Sequence, residues 1–131
     1  MFEEFQVNTP AEGFVDITAK VAAALRSAGV RTGLCLVFVP HTTAGITINE
    51  NADPDVVTDM LAGLDSMVPQ LAYRHGEGNS PAHIKASLLG SSVTVPVRDG
   101  RLYLGTWQGI YLCEFDGPRR RTVAVTSMAA P

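Results

Sequence analysis

Long apolar runs are missing from this sequence. No stretch approaches the roughly 20 consecutive apolar residues that a membrane-crossing helix needs, and the first residues, Met1-Phe2-Glu3-Glu4, are acidic where a secretory signal is basic. A cytoplasmic protein with no membrane partner is the expectation. An excess of charge of one sign is also missing: the net charge is −3, and the single basic run, Arg119-Arg120-Arg121, is too short to form a nucleic-acid patch by itself. Nucleic acid is therefore not an expected partner. Only two cysteines occur, and both lie in apolar surroundings, Leu34-Cys35-Leu36-Val37 and Tyr111-Leu112-Cys113. They read as reduced core thiols without chemistry. Internal repeats, low-complexity tracts and linkers are absent as well. With 131 residues, 46% hydrophobic and 18% charged, the chain reads as one domain over residues 1–131.

What is present is a series of short elements punctuated by turns. From Asp16 to Gly29, two capping candidates (Asp16, Thr18), apolar or alanine positions at Val21, Ala22, Leu25 and Ala28, and a terminal glycine predict an amphipathic helix. Gly33 to Val39 is a continuous apolar run ending at Pro40, which predicts a strand buried on both faces that delivers His41 to its end. Ile46 and Ile48 then alternate with Thr47 and Asn49 in a half-buried strand. Asp53-Pro54 joins a favoured N-cap to the helix position where proline is at home and opens a second helix reaching toward Pro69; Asp53 is read as structural. Ser80-Pro81 repeats that chemistry ahead of a two-turn helix ending at Gly90, with His83 near its start. Alternating Val93, Val95 and Val97, the turns Asp99-Gly100 and Asp116-Gly117, and a last run through Val123 and Val125 predict an antiparallel meander. The sum is an α+β fold, with seven or eight strands and two or three helices on antiparallel or mixed sheet in one or two layers. So much sheet leaves a surface that two helices do not cover, and oligomerisation is the expected remedy.

The three histidines, His41, His75 and His83, all sit in polar, turn-rich contexts. Three neutral imidazoles suit a tetrahedral divalent ion with one position open, although their spacing matches no metal motif and three unrelated surface histidines would look the same. A second polar group, Asn49-Glu50-Asn51-Ala52-Asp53, stands where a strand hands over to a helix. Gly76-Glu77-Gly78-Asn79 runs into a helix N-terminus, a setting suited to an anion, and Lys85 lies within reach along the same helix. Around Trp107, Thr106 and Gln108 offer polar handles, but a lone tryptophan opening a strand is more often partly buried packing.

Three longer signatures carry a resemblance. His41-Thr-Thr-Ala-Gly-Ile-Thr-Ile-Asn-Glu-Asn-Ala-Asp-Pro-Asp55, Pro81-Ala-His-Ile-Lys-Ala-Ser-Leu-Leu-Gly90 and Gly100-Arg-Leu-Tyr-Leu-Gly-Thr-Trp-Gln-Gly-Ile110, with Glu114 and Arg119 to Arg121, resemble the successive motifs of the YjbQ-like family over nearly the whole chain. The resemblance implies sandwich-like packing of β-sheets, a homotrimer, and a metal or ligand site on His41, His75 and His83 holding zinc or, with fewer suitable ligands, Mg²⁺. It also implies a thiamine-phosphate synthase-type transfer: a pyrimidine diphosphate joined to a thiazole phosphate with loss of pyrophosphate. His41, His83, Glu50 and Glu77 are then the catalytic candidates, and Asn49, Asn51, Gly78, Asn79, Lys85, Thr106 and Gln108 the anion- and substrate-binding ones. A metal-dependent phosphate-ester hydrolase with Glu50 or Glu77 as general base, and a non-catalytic trimer that binds a small phosphorylated metabolite, are the alternatives.

Overall fold

The computed structural model describes residues Met1–Pro131. Eight strands and three helices follow in the order β1 (Phe2–Asn8), β2 (Gly13–Asp16), α1 (Thr18–Ala28), β3 (Gly33–Phe38), β4 (Ala44–Glu50), α2 (Pro54–Met67), α3 (Ser80–Leu89), β5 (Ser92–Arg98), β6 (Arg101–Leu102), β7 (Gln108–Glu114) and β8 (Arg120–Ala129). They form two antiparallel sheets, one in the order β1-β8-β3-β5-β6 and one in the order β2-β7-β4. The fold is α+β with sandwiched sheets, as the sequence implies.

Two of the helices start on local side-chain chemistry; α3 does not, since its N-cap is Asn79, without a side-chain cap hydrogen bond, rather than the expected Ser80. The Asp16 carboxylate accepts both the amide of Thr18 (2.9 Å) and its hydroxyl (2.6 Å) at the head of α1, and Gly29 ends that helix in the left-handed conformation. Asp53 accepts the Asp55 amide at the head of α2, with Pro54 in the first turn. Asp99 and Gly100, both with positive φ, make the tight turn between β5 and β6.

Two cores stack on either side of the smaller sheet. Between the sheets, Val37, Val95, Val123 and Val125 meet Ile46, Ile110 and Leu112, while α1 inserts Val21, Ala24 and Leu25. On the far side of β7, Tyr111, Cys113 and Phe115 pack against Leu64 of α2 and Ala82 and Ala86 of α3. Strand β7 is thus covered on both faces. Strand β3 is not: Leu34 and Phe38 are exposed, which corrects the expectation of a strand buried on both faces. On the same outer face Met128 lies beside Leu34, and Ala124 beside Phe38. The C-terminal third is not a meander either. Only β5 and β6 form a hairpin; β7 crosses to the other sheet and β8 returns between β1 and β3. Trp107 is 63% exposed rather than packed.

Within the sandwich lies one buried ion pair. Arg121 of β8 reaches Glu114 of β7, its Nε donating to Oε1 at 2.8 Å and its Nη2 to Oε2. Burial alone would push the Glu114 carboxyl up. Hydrogen bonds from Arg121, Thr9 and the Asp116 amide outweigh it and hold the acid below its usual range. Removing one partner leaves a buried charge unpaired, so Glu114→Ala or Arg121→Ala is expected to cost about 3–5 kcal/mol in urea unfolding, with the joint Glu114→Leu/Arg121→Met change recovering most of it. Additive losses in the joint variant would contradict this.

Candidate functional site

Beside the ion pair opens a cleft of about 410 Å³ lined by Pro40, His41, Thr42, Thr43, His75, Glu77, Asn79, His83, Asp116, Arg119 and Arg121. Pro40, His41 and the two threonines come from the connection between β3 and β4, His75, Glu77 and Asn79 from the segment that leads into α3, and His83 from the first turn of α3. The remaining three come from the turn into β8 and its start. Apart from Pro40, no hydrocarbon side chain lines the cleft.

The histidines share this cleft on unequal terms. The rings of His75 and His83 stand edge to face with centroids 5.5 Å apart, and Nε2 of His75 lies 3.9 Å from the Glu77 carboxylate. His41 is half-buried, and its Nε2 accepts the backbone N–H of Thr122 at 2.9 Å. That nitrogen therefore keeps its lone pair, and a neutral ring must carry its proton on Nδ1.

The arginines are anchored from behind. Asp116 accepts Nη2 of Arg119 through its carboxylate (3.1 Å) and Nε through its backbone carbonyl (2.7 Å), while the Asn79 amide donates to the same carboxylate at 2.8 Å. Asn79 first, and then Arg119 against the effect of burial, hold the Asp116 carboxyl below its usual range. Arg121 gives Nε and Nη2 to Glu114 and Thr43, so its Nη1 has no acceptor within the protein. The Oδ1 of Asn79 is buried and accepts nothing. The cleft therefore presents spare guanidinium donors, while the unused Asn79 carbonyl oxygen lies buried.

Five of the expected site residues are brought together here: His41, His75, His83, Glu77 and Asn79. The others lie elsewhere. Lys85 is buried on another side of α3, paired with Asp65 and, at 3.4 Å, with Glu12; burial would lower its pKa, but these carboxylates raise it above the usual lysine value. Its contacts serve the α2–α3 packing, and Gly78 lines that hollow with it. At the far end of β4, Asn51 donates to Asp16 at 3.2 Å, Asn49 accepts the Glu50 amide, and the Glu50 carbonyl accepts the Tyr111 hydroxyl. Gln108 caps the Gly105 amide next to Thr106. The expected backbone cradle is also partly turned inward, since Gly78 donates to the His75 carbonyl, and Ala82 and His83 to that of Asn79.

Three imidazoles and one carboxylate suit a zinc-like ion in kind. In position they are not yet gathered: no three His, Cys, Asp or Glu side chains enclose a metal-sized point. Mg²⁺, which prefers several oxygens, finds one free carboxylate in the cleft, that of Glu77. Sequence reasoning gave no site role to Thr42, Thr43, Asp116, Arg119 and Arg121, although Arg119 to Arg121 stand in the family signature. The available signal was Arg121 itself, an arginine inside an otherwise apolar strand, which must find an acid.

Burial and the nearby Arg121 charge lower the pKa of His41 from its ordinary 6.5, outweighing the opposing effects at the ring. The neutral ring is thereby favoured in the folded state, so the stability it contributes is present above about pH 6.5 and is lost as pH falls through the lowered value. An NMR titration is expected to place the His41 midpoint below 6.5. A midpoint above that would contradict the burial described here.

Comparison with known proteins now adds the kinship. The model of the family "UPF0047 protein YjbQ-like" matches residues 3–130. UPF0047 protein YugU of Bacillus subtilis is 52% identical over 131 residues, covering 98% of this chain and 99% of its own. A protein of the YjbQ/UPF0047 family from Clostridium acetobutylicum has a crystal structure that superposes with a TM-score of 0.93 at 55% identity, covering 96% of this chain and 99% of that one. The YbjQ-like protein of unknown function from Sulfolobus solfataricus gives 0.94 at 35% identity, covering 99% and 97%. The chain belongs to the YjbQ-like UPF0047 family.

Proposed function

We propose that the cleft binds the phosphate or diphosphate of a small metabolite, takes up a divalent cation with it, and promotes departure of that group. The observation that carries this reading is the lining itself: three imidazoles and two guanidiniums converge where almost no hydrocarbon is present. Such a surface suits a small, highly charged anion. Arg119 and Nη1 of Arg121 are the fixed donors, the neutral Nδ1–H of His41 is a third, and His83 and His75 stand beside them to exchange a proton with the leaving group. When bound on the imidazoles of His75 and His83, zinc would supply further positive charge to the departing phosphate.

The reaction implied by the resemblance is the diphosphate-releasing transfer that makes thiamine phosphate. The cleft supports its anionic half; the apolar wall on which a pyrimidine ring would rest is not in the lining. That lack favours, as a second reading, hydrolysis of a small phosphate ester, which needs no such wall. The uncovered face of the larger sheet, with Leu34, Phe38 and Met128, supports a homotrimer.

Calorimetry with pyrophosphate is expected to show binding strengthened by zinc and weakened tenfold or more by His83→Ala and by Arg119→Ala, a charge-assisted contact being worth about 1.5–3 kcal/mol. Equal affinity with and without chelator, or no loss in either variant, would contradict the proposal. Pyrophosphate released only when pyrimidine diphosphate and thiazole phosphate are both present marks the transfer; phosphate released from a single ester marks the hydrolase. Light scattering is expected to give about three times the 13.9 kDa chain mass, and a stable monomer at micromolar concentration would rule out the trimer.

A further inference from the structure

A second cleft, of about 620 Å³, lies between α1 and the β5–β6 hairpin and shares no residue with the histidine cleft. Arg26, Arg31 and Arg101 line it, and Leu25, Leu102 and Leu104 form its apolar part. An adjoining hollow adds Arg98 and the 60% exposed ring of Tyr103. Four of the chain's ten lysines and arginines thus stand together, although the protein as a whole carries a charge of −3.

Ion pairing does not account for this concentration. The one acid here, Asp99, lies 3.9 Å from Arg98, and Arg26, Arg31 and Arg101 have no carboxylate within 4.0 Å. Nor is the arrangement loose. The hairpin is tied to the start of β3 by the Gly100 amide, which donates to the Arg31 carbonyl at 3.0 Å. The Arg31 guanidinium sits over that turn, its Nη1 only 3.2 Å from where a Cβ on Gly100 would stand. A glycine with φ of +74° thus serves both the turn and the seat of the arginine. Unpaired guanidiniums repel one another, and a doubly charged anion relieves that repulsion through paired N–H···O contacts. The leucines and Tyr103 offer what the histidine cleft lacks, a surface for a ring.

We propose that this second cleft binds an aromatic organic phosphate, its phosphate on Arg26, Arg31 and Arg101 and its ring against Leu102, Leu104 and Tyr103. Phenyl phosphate and inorganic phosphate, titrated into ¹⁵N-labelled full-length protein, test it. The amides of Leu102, Tyr103 and Leu104 are expected to shift saturably. Phenyl phosphate is expected to bind at least tenfold more tightly than inorganic phosphate, and Arg31→Gln/Arg101→Gln to weaken it at least tenfold. The single Arg101→Gln change, at the exposed start of β6, makes the same comparison should the double variant not fold. Shifts confined to the histidine cleft, equal affinity for the two anions, or unchanged binding in the variants would each overturn the proposal. So would a fall in assembly mass on replacing the arginines, which would assign the cleft to an acidic segment of a second copy.

Discussion

The Glu114–Arg121 pair is the constraint on which the arrangement of the cleft rests. It joins β7 of one sheet to β8 of the other across the sandwich, and side chains with 0% and 5% exposure take both charges out of water. Such a pair contributes order rather than net stability unless its remaining hydrogen-bonding positions are filled. Here Thr9 from the end of β1, Thr43 before β4 and the Asp116 amide fill them. The consequence runs outward. With Glu114 fixed, the turn after it is fixed; Asp116 then orients Arg119 and receives Asn79, which leads into the helix that carries His83. The Thr122 amide, one residue beyond Arg121, sets the proton position on His41. A single buried contact thus places groups from four separate segments around one cleft.

The parts of the fold legible in the sequence were those written in local chemistry. Asp53-Pro54, Gly29 and Asp99-Gly100 each specify a cap or turn through backbone geometry that few other residues satisfy, and each is found there. What was not legible depends on pairing at a distance. The run Gly33 to Val39 reads as doubly buried because its side chains are apolar throughout, yet within one chain half of them face outward. Apolar sequence reports that a surface is to be covered, not whether this chain or another covers it. The crossing of β7 to the second sheet was likewise invisible, since its apolar run reads the same whichever neighbour it pairs with.

The site was legible in its histidines and less so in its charges. His41, His75 and His83 stand out because polar, turn-rich surroundings exclude a core role, and all three do line one cleft. Lys85 misleads for a physical reason. From the sequence it is an exposed helical cation near His83, but Asp65 on α2 and Glu12 before β2 draw it into the packing on another side of the helix. Glu50 and Asn51 mislead similarly: they are close to His41 along the strand yet at its other end in space, where Asn51 fills the room left by the missing side chain of Gly109. Arg119 and Arg121 were read as part of the family signature but given no site role, because three arginines make no nucleic-acid patch, whereas their use here is to fix and charge a small cleft.

The most direct test of this account is a crystal structure of the protein soaked with zinc and pyrophosphate, with anomalous scattering measured at the zinc edge. The account predicts one anomalous peak at His75 and His83, at zinc–nitrogen distances of about 2.0–2.1 Å, with diphosphate density against Arg119, Nη1 of Arg121 and Nδ1 of His41. Zinc and diphosphate found elsewhere, with the three imidazoles left as they stand, would contradict it.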